Sequence, residues 1–269
     1  MQPRERIFAE DYILETVTEF SAVGRSEHAE PSELLWASSV LSDYFAAVGS
    51  TPIIDRARSL FLQCPRISIQ SDQRPVPFRF EGSRPESVKF DDFLSLCEGR
   101  HSVRWFDQRP VPVDLIEKAV TCAASAPSAC NRQPFFFRCF DKPVDAARVA
   151  SVAMGTGGYS QQIPALIVVL GDWSSIEFER DRHLPYIDGS LAAMNLMLAL
   201  ETLGLASCPI NWPDIEDRER RMDNLLDLPK HVRPIMLIAV GFPHPDGMVP
   251  YSQKKPAQSL LRLQNDYLP

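Results

Sequence analysis

Apolar residues recur at helical spacing in two stretches near the start of the chain. These stretches, residues 5–22 and 32–48, each predict a helix, and a third short helix is predicted over residues 56–62. The stretch that follows, residues 65–85, is rich in proline and polar residues and has no clear period. It therefore predicts an irregular connection or an extended arm.

From residue 89 onward, helical patterns alternate with short, strongly apolar runs. Helices are predicted over residues 90–99, 113–124, 145–153, 190–203 and 215–226, and strands over residues 135–140, 165–170 and 234–241. The helix over residues 190–203 is apolar nearly all round, which predicts a fully buried central helix that ends at Gly204. Three separated strands with helices between them indicate an α/β or α+β layered domain.

The change of pattern at residue 89 coincides with a change of composition, because the first 88 residues contain no lysine. We therefore divide the chain into residues 1–88, a helical N-terminal extension with its proline-rich connection, and residues 89–269, the main domain. The extension is expected to be a structural cap or a dimer-contact element without chemistry of its own.

Composition and charge narrow the class of protein. The chain has 269 residues and a net charge of −7, which argues against a nucleic-acid binder with a basic face. No apolar run approaches the length of a membrane span, and the charged N-terminus lacks an apolar signal core. We therefore expect no membrane partner and no export.

The six cysteines are scattered without a C-x-x-C pair, and four of them lie in apolar patterns, where a reduced thiol is expected to be buried. This usage argues against disulfides and for a reducing, cytoplasmic location. His, Cys, Asp and Glu show no metal-ligand spacing, so no metal site is predicted.

The segment that follows the helix over residues 90–99 is strongly cationic. Arg100, His101, Ser102 and Arg104 offer many hydrogen-bond donors within five residues, and the arginine fork matches phosphate oxygens. The alternative is a surface turn with solvated arginines. Two adjacent lysines near the C-terminus, Lys254 and Lys255, are either solvated charges or close over the same phosphate.

A loop of small and amide side chains, residues 126–134, separates a predicted helix from a predicted strand. Its small residues let a ligand approach the backbone, and Asn131 and Gln133 each offer a donor and an acceptor. Such a pair can read the pyrimidine edge of a flavin. The alternative is a polar loop whose amides cap the backbone.

The sequence Asp188-Gly189-Ser190 precedes the predicted central helix. Asp188 or Ser190 is expected to cap this helix, whose free N–H groups can face an electron-rich ligand atom while Gly189 leaves room for the ligand. Other catalytic motifs are missing: the chain has no G-x-S-x-G, G-x-x-x-x-G-K-S/T or G-x-G-x-x-G sequence. The glycine-rich residues 154–158 are interpreted as a loop, and Cys130 has no base nearby in sequence.

Taken in order, these motifs resemble the nitroreductase family of FMN-dependent oxidoreductases. The resemblance covers about residues 89–261 and rests on six motifs. They are Arg100-His101-Ser102-Val103-Arg104 with Phe106, Ala126-Pro127-Ser128 with Asn131, Gln133 and Pro134, Asp188-Gly189, Leu203-Gly204-Leu205, Gly241-Phe242-Pro243, and Lys254-Lys255-Pro256.

The resemblance implies an α+β fold, a sandwich with an antiparallel-rich central sheet flanked by helices, in an intertwined homodimer that binds FMN at its interface. The residues that it assigns to the phosphate and ribityl chain are Arg100, His101, Ser102, Arg104, Lys254 and Lys255. Asn131 and Gln133 would address the isoalloxazine from one side but from different subunits. Pro127 and Ser128 would come from the partner subunit, and the backbone at Asp188 and Gly189 would lie near flavin N5. No dedicated acid or base is implied.

The implied activity is ping-pong hydride transfer from NADH or NADPH, through flavin N5, to a small organic acceptor such as a nitroaromatic, quinone or enone. The alternatives are a flavin-dependent dehydrogenase or a flavin-consuming enzyme of the same fold, and a non-catalytic, flavin-free binding subunit. Two features depart from the family pattern: the N-terminal extension, and the short segment between the second predicted strand and Asp188. The short segment leaves the substrate open.

Overall fold

The computed structural model describes residues 5–26, 29–64, 75–78 and 87–263. The chain divides into two compact units, Met1–Glu86 and Ser87–Pro269. None of the helices within these described ranges is long and apolar enough to cross a membrane.

The N-terminal unit contains three helices, α1 (Ile13–Val23), α2 (Pro31–Ala47) and α3 (Pro52–Phe61). Their core consists of Ile13, Val17, Phe20, Leu41, Val48, Ile54 and Ala57. Helix α3 was predicted over residues 56–62 but begins at Pro52, because the Thr51 hydroxyl caps it by accepting a hydrogen bond from the Ile54 N–H at 3.2 Å.

The start of the first helix also differs from its prediction. The first helix was predicted over residues 5–22 but begins at Ile13, and Ala9 before it has a left-handed φ of 60°. A non-glycine residue in that region interrupts a right-handed helix. The predicted irregular connection, residues 65–85, lies outside the described residues except for residues 75–78, which form neither helix nor strand.

The second unit is an α+β domain built on a four-stranded sheet. Its strands are β1 (Phe135–Phe140), β2 (Ala165–Asp172), β3 (Ala206–Asn211) and β4 (Val232–Gly241), and its helices are α4 (Phe90–Gly99), α5 (Val113–Ala124), α6 (Pro143–Ala150), α7 (Leu184–Thr202), α8 (Glu216–Leu226) and α9 (Ala257–Leu260). The sheet order is β1-β2-β4-β3, and every neighbouring pair is antiparallel. The predicted fold class, an antiparallel-rich sheet flanked by helices, is confirmed.

Strand β2 shows why helices cover both faces of this sheet. Leu166, Val168 and Leu170 point into the core that α6 and α8 complete. Ile167 and Val169, which alternate with them, point into the core formed with α5 and α7. A strand that is apolar on both faces needs a layer on each side, and the continuous apolar run in the sequence reflects this position.

Strand β3 was not predicted. It lies at the edge of the sheet and includes Pro209, which has no N–H and is tolerated where the outer side of a strand is unpaired. Ser207 and Asn211 add polar positions that hide the strand pattern. The sequence therefore predicted three of the four strands.

Helix α7 begins six residues earlier than predicted, at Leu184, with Pro185 in its first turn. The prediction that it is buried on all sides is wrong for the single chain. Ile187, Leu191 and Met194 are 48%, 43% and 39% exposed, and their spacing places them on one face. An exposed apolar stripe of this kind is typical of a surface that another molecule covers.

All six cysteines are free thiols. Cys208 is buried, whereas Cys122, Cys130 and Cys139 are exposed, so the expectation that four thiols are buried was wrong. The exposed thiols lie on an outer helix face, in a loop and on the edge strand β1, where an apolar neighbourhood in sequence does not imply burial.

Candidate functional site

The cationic segment is fixed against two strands. Ser102 forms a parallel bridge with Ser207 of β3, and the Val103 N–H donates to the Ser207 carbonyl at 3.1 Å. Further along, Phe106 bridges Pro243 just after β4 and is only 1% exposed. These contacts anchor the segment in the core, so its polar side chains have a defined position.

Five of the residues predicted to bind the cofactor line one cavity of about 580 Å³. They are Arg100, His101, Ser102, Arg104 and Lys254. Arg104 and Lys254 are far apart in sequence. The segment that follows β4 brings Lys254 to the cavity and also contributes Tyr251 to its wall. Lys255 is solvent-exposed and is not among the lining residues.

Two polar groups on this side of the domain are buried without a partner. The Nη1 atom of Arg100 and the hydroxyl of Ser207 have no hydrogen-bond partner among the described residues. A buried donor that stays unpaired costs free energy, and a bound anion or polar ligand would remove that cost. The donor set, with three side-chain cations and a serine hydroxyl, therefore fits a phosphate group.

Burial and the positive charge of the cavity shift the pKa values of titratable groups around it. Burial raises the pKa of Glu201, and the charges of Arg100 and His101 oppose that rise. Burial and the neighbouring Cys208 thiol raise the pKa of Tyr159 to about 12, against the opposing charge of Arg104. No local motif in the sequence connects Glu201, Tyr159 and Ser207 to the cationic segment, so these residues were not predicted.

The amide loop connects α5 to β1 and contains a single 3₁₀ turn, Ala129–Asn131. Three non-glycine residues in it have left-handed φ values: Cys130 at 52°, Asn131 at 54° and Gln133 at 50°. The Gln133 amide donates to the backbone and side-chain carbonyl oxygens of Asn131, each at 3.3 Å. The two predicted amides therefore lie together on the exposed side of one loop, so one chain presents both of them and their assignment to different subunits is not supported.

Asp188 is not a helix cap. It is the fifth residue of α7, is 3% exposed, and its carboxylate accepts hydrogen bonds from the Ser128 hydroxyl at 2.6 Å and from the Ala129 N–H at 3.1 Å. Since α7 begins at Leu184, the N–H groups at Asp188 and Ser190 are inside the helix, and the predicted capping role is wrong.

Gly189 is needed for helix–sheet packing. A Cβ atom at this position would lie 2.6 Å from Ile235 Cδ1 and within 4 Å of Phe135 and Val169. The space that this glycine leaves is filled by the sheet, so the expectation that it leaves room for a ligand was wrong. The predicted proximity of the Asp188 and Gly189 backbone to flavin N5 stays a prediction.

The two predicted halves of the site lie at opposite edges of the sheet. The cation-lined cavity is next to β3, whereas the amide loop with Pro127, Ser128, Asn131 and Gln133 leads into β1. Strands β2 and β4 lie between them. One chain alone therefore does not bring both halves together.

A second cavity, of about 480 Å³, lies between α5 and β1 and is bordered by Gln133. Its walls are largely apolar and include Ile116, Val120, Phe135 and Phe137. Flat aromatic molecules favour such walls with a few polar groups at the rim.

Comparison with known proteins shows which family this chain is similar to. The chain matches the family model described as the nitroreductase family over residues 97–157 and 158–242. Over 152 residues it is 30% identical to a candidate NADH dehydrogenase/NAD(P)H nitroreductase of Methanothermobacter thermautotrophicus, covering 56% of this chain and 78% of the relative.

Two further similarities are one to a relative in sequence and one to a solved structure. The chain is 24% identical to the iodotyrosine deiodinase of Haliscomenobacter hydrossis over 226 residues, which cover 70% of this chain and 98% of the relative. Among solved structures, an FMN-dependent nitroreductase from Clostridium difficile superposes with a TM-score of 0.56 at 19% identity, covering 64% of this chain and 99% of that one. This last likeness confirms the fold alone.

Proposed function

The chain belongs to the nitroreductase family, and we propose that it is an FMN-dependent oxidoreductase. The observation that carries the proposal is the cavity in which Arg100, Ser102, Arg104 and Lys254 converge, with the Arg100 Nη1 atom buried and unpaired among the described residues. Bound FMN would supply two-electron chemistry, accepting hydride from NADH or NADPH and passing it to a small organic acceptor such as a nitroaromatic, quinone or enone.

The residues of the cavity would hold the phosphate and ribityl chain. Arg100 and Arg104 supply planar donors for phosphate oxygens, Ser102 supplies a hydroxyl between them, and Lys254 adds charge from the other side. His101 is exposed at the rim, where it adds a further donor. Positive charge is thus concentrated at this site although the chain is acidic overall.

The amide loop would complete the site from a second copy of the chain. Within one chain the loop and the cavity lie at opposite edges of the sheet. The exposed stripe of Ile187, Leu191 and Met194 provides an apolar surface for a homodimer contact. In such a dimer Asn131 and Gln133, followed by the apolar cavity at β1, would face the flavin ring and the acceptor.

Purified protein tests this proposal directly. We expect the visible absorption bands of bound flavin, release of FMN on denaturation, and bleaching under anaerobic titration with NADH or NADPH. A colourless protein that FMN does not reconstitute would refute the assignment. Bleaching by neither nicotinamide would instead favour a flavin-dependent dehydrogenase or a flavin-consuming enzyme.

Reductive dehalogenation of an aromatic substrate is a second candidate activity. It is favoured by the length of the match to the iodotyrosine deiodinase, which covers 70% of this chain. Steady-state assays with a nitroaromatic, a quinone and an iodinated phenol distinguish the two, because only the last releases halide.

The cytoplasmic location also belongs to this proposal. It is supported by the six free cysteines, since exposed reduced thiols such as Cys122 and Cys130 persist in a reducing compartment. Fractionation of cells followed by immunodetection tests it.

A further inference from the structure

Asp188 is a buried carboxylate with no cationic partner among the described ion pairs. A buried charge is stable only if hydrogen bonds replace its hydration. Here two hydrogen bonds come from the start of the amide loop: the Ser128 hydroxyl and the Ala129 N–H both donate to the same oxygen, Oδ2. The carboxylate therefore connects helix α7 to the amide loop.

Ser128 extends this connection to the end of the loop. Its hydroxyl oxygen accepts a hydrogen bond from the Gln133 N–H at 2.7 Å while its proton is directed to Asp188. A hydroxyl that donates its proton to an ionised carboxylate becomes a stronger acceptor for a second hydrogen bond. One carboxylate thus fixes both ends of a six-residue turn.

The turn needs such support because its backbone is strained. Cys130, Asn131 and Gln133 all have positive φ values without being glycine, a conformation that L-residues adopt at a cost in free energy. Strained residues persist only where the surrounding structure holds them. Within the turn the Asn131 N–H donates to the Ser128 carbonyl at 2.9 Å and the Arg132 N–H to the Ala129 carbonyl at 3.1 Å. The bonds to the Asp188 carboxylate and to the Ser128 hydroxyl add support from α7 and across the turn.

We propose that Asp188 is a positioning residue that acts through Ser128 to hold residues 128–133 in the conformation that presents the Asn131 and Gln133 amides. This inference rests on the proposed flavin site and gives Asp188 an indirect role in it. The carboxylate reaches the ligand only through the loop, so its removal should weaken binding of the ring and spare binding of the phosphate.

The experiment compares two flavins that differ by the phosphate. In Asp188→Asn and Ser128→Ala we expect affinity for FMN and for riboflavin to fall by the same factor, about tenfold for loss of a charge-assisted bond. Arg104→Ala, by contrast, should weaken FMN and leave riboflavin unchanged. If Asp188→Asn and Ser128→Ala both bind FMN and riboflavin as tightly as the wild type does, the inference is overturned.

A matched control removes a similar bond elsewhere. Asp172 accepts hydrogen bonds from the Ser174 N–H at 2.8 Å and from the Ser174 hydroxyl at 2.6 Å, on an exposed turn. Asp172→Asn should therefore leave both flavin affinities unchanged. A fall equal to that of Asp188→Asn would contradict a specific role for Asp188.

A rescue separates positioning from general destabilisation. Glycine adopts the φ of 52° at position 130 without strain, so Cys130→Gly in the Asp188→Asn background should recover part of the lost affinity. Ala129→Gly in the same background should recover none. Recovery by both or by neither would contradict the mechanism.

Hydrogen exchange provides a readout that does not depend on flavin. The Gln133 N–H should lose protection in Ser128→Ala and Asp188→Asn, with the amides of β2 unchanged as the control for folding. If the wild type binds no flavin, the proposed function fails while this result still tests the connection. If flavin binds and Gln133 protection is unchanged, the inference fails alone.

Discussion

The backbone N–H of Val103 donates to the carbonyl of Ser207 at 3.1 Å, so the cationic segment is attached to the edge strand of the sheet. Because the bond involves main-chain atoms, it holds Ser102 and Arg104 on either side of Val103 in a fixed direction. The cationic segment is therefore a preformed part of the cavity wall, which a ligand would not have to order.

Arg104→Ala should lower the affinity for FMN about tenfold to a hundredfold, because a charge-assisted bond to phosphate is lost. Arg109→Ala is the control, since its guanidinium lies 3.4 Å from the Phe242 ring centroid and pairs with Asp107 outside the cavity. Flavin fluorescence titrations at low and high salt measure both. Equal effects of the two variants would remove the cavity as the phosphate site.

Glu201→Gln should stabilise the protein at neutral pH and change it little in acid. Burial raises the folded-state pKa of Glu201 above its unfolded value, so the group contributes stability only below the unfolded pKa and loses it as the pH rises through the folded pKa. Thermal unfolding at pH 4 and pH 8 checks this. A stabilisation that is larger at pH 4 would contradict the direction of the shift.

The same substitution removes a negative charge close to Arg100 and His101. Affinity for FMN should therefore rise at neutral pH, since the carboxylate competes with phosphate for the positive charge. Isothermal titration of the two proteins at pH 8 measures this. Weaker binding in Glu201→Gln would show that the carboxylate assists the ligand.

Cys139 should be alkylated slowly at neutral pH although it is solvent-accessible. Partial burial, with a smaller contribution from Asp141, raises its pKa to about 11, so little thiolate is present. Iodoacetamide labelling followed by mass spectrometry should show its rate rising up to about that pH. A rate that levels off near neutral pH would contradict the shift.

Gly189→Ala should destabilise the second unit by about 1–3 kcal/mol through overpacking. The new Cβ would lie 2.6 Å from Ile235 Cδ1, the atom that Ile235→Val removes. The double variant should therefore be more stable than the sum of the single effects predicts. Gly158→Ala is the control, because no heavy atom lies within 4 Å of its added Cβ.

In the proposed homodimer, Leu191→Asp should separate the subunits and release FMN, because it places a charge in the exposed apolar stripe of α7. Val144→Asp is the matched control on α6, at a residue 80% exposed on the other side of the sheet. Light scattering coupled to size exclusion measures both. An unchanged dimer in Leu191→Asp would place the contact elsewhere.

The sequence predicted the parts of the fold that have a strong local signal. The uninterrupted apolar run of β2 shows a strand buried on both faces, and the residue types at Arg100 and Arg104 show a cationic segment. The strand that orients this segment was missed, since Ser207 and Pro209 interrupt its apolar pattern. The sequence therefore indicated a cation-lined site, but not the strand that holds the cationic segment in place.

Long-range contacts explain the other differences. Asp188 and Ser128 are 60 residues apart in sequence, so no local pattern reveals that the carboxylate supports the amide loop. The order of strands in the sheet, which separates the two halves of the site, is likewise set by packing. The exposed face of α7 has the composition of a core helix, and only its neighbours decide which side is covered.

The separation of the cavity and the amide loop across the sheet has a genetic consequence if two chains share each site. A dimer formed from one Arg104→Ala chain and one Gln133→Ala chain would combine both defects in one site and leave the other site intact. Two inactive alleles should then complement each other when co-expressed. A chain that carries both substitutions should not restore activity when it is co-expressed with either single variant.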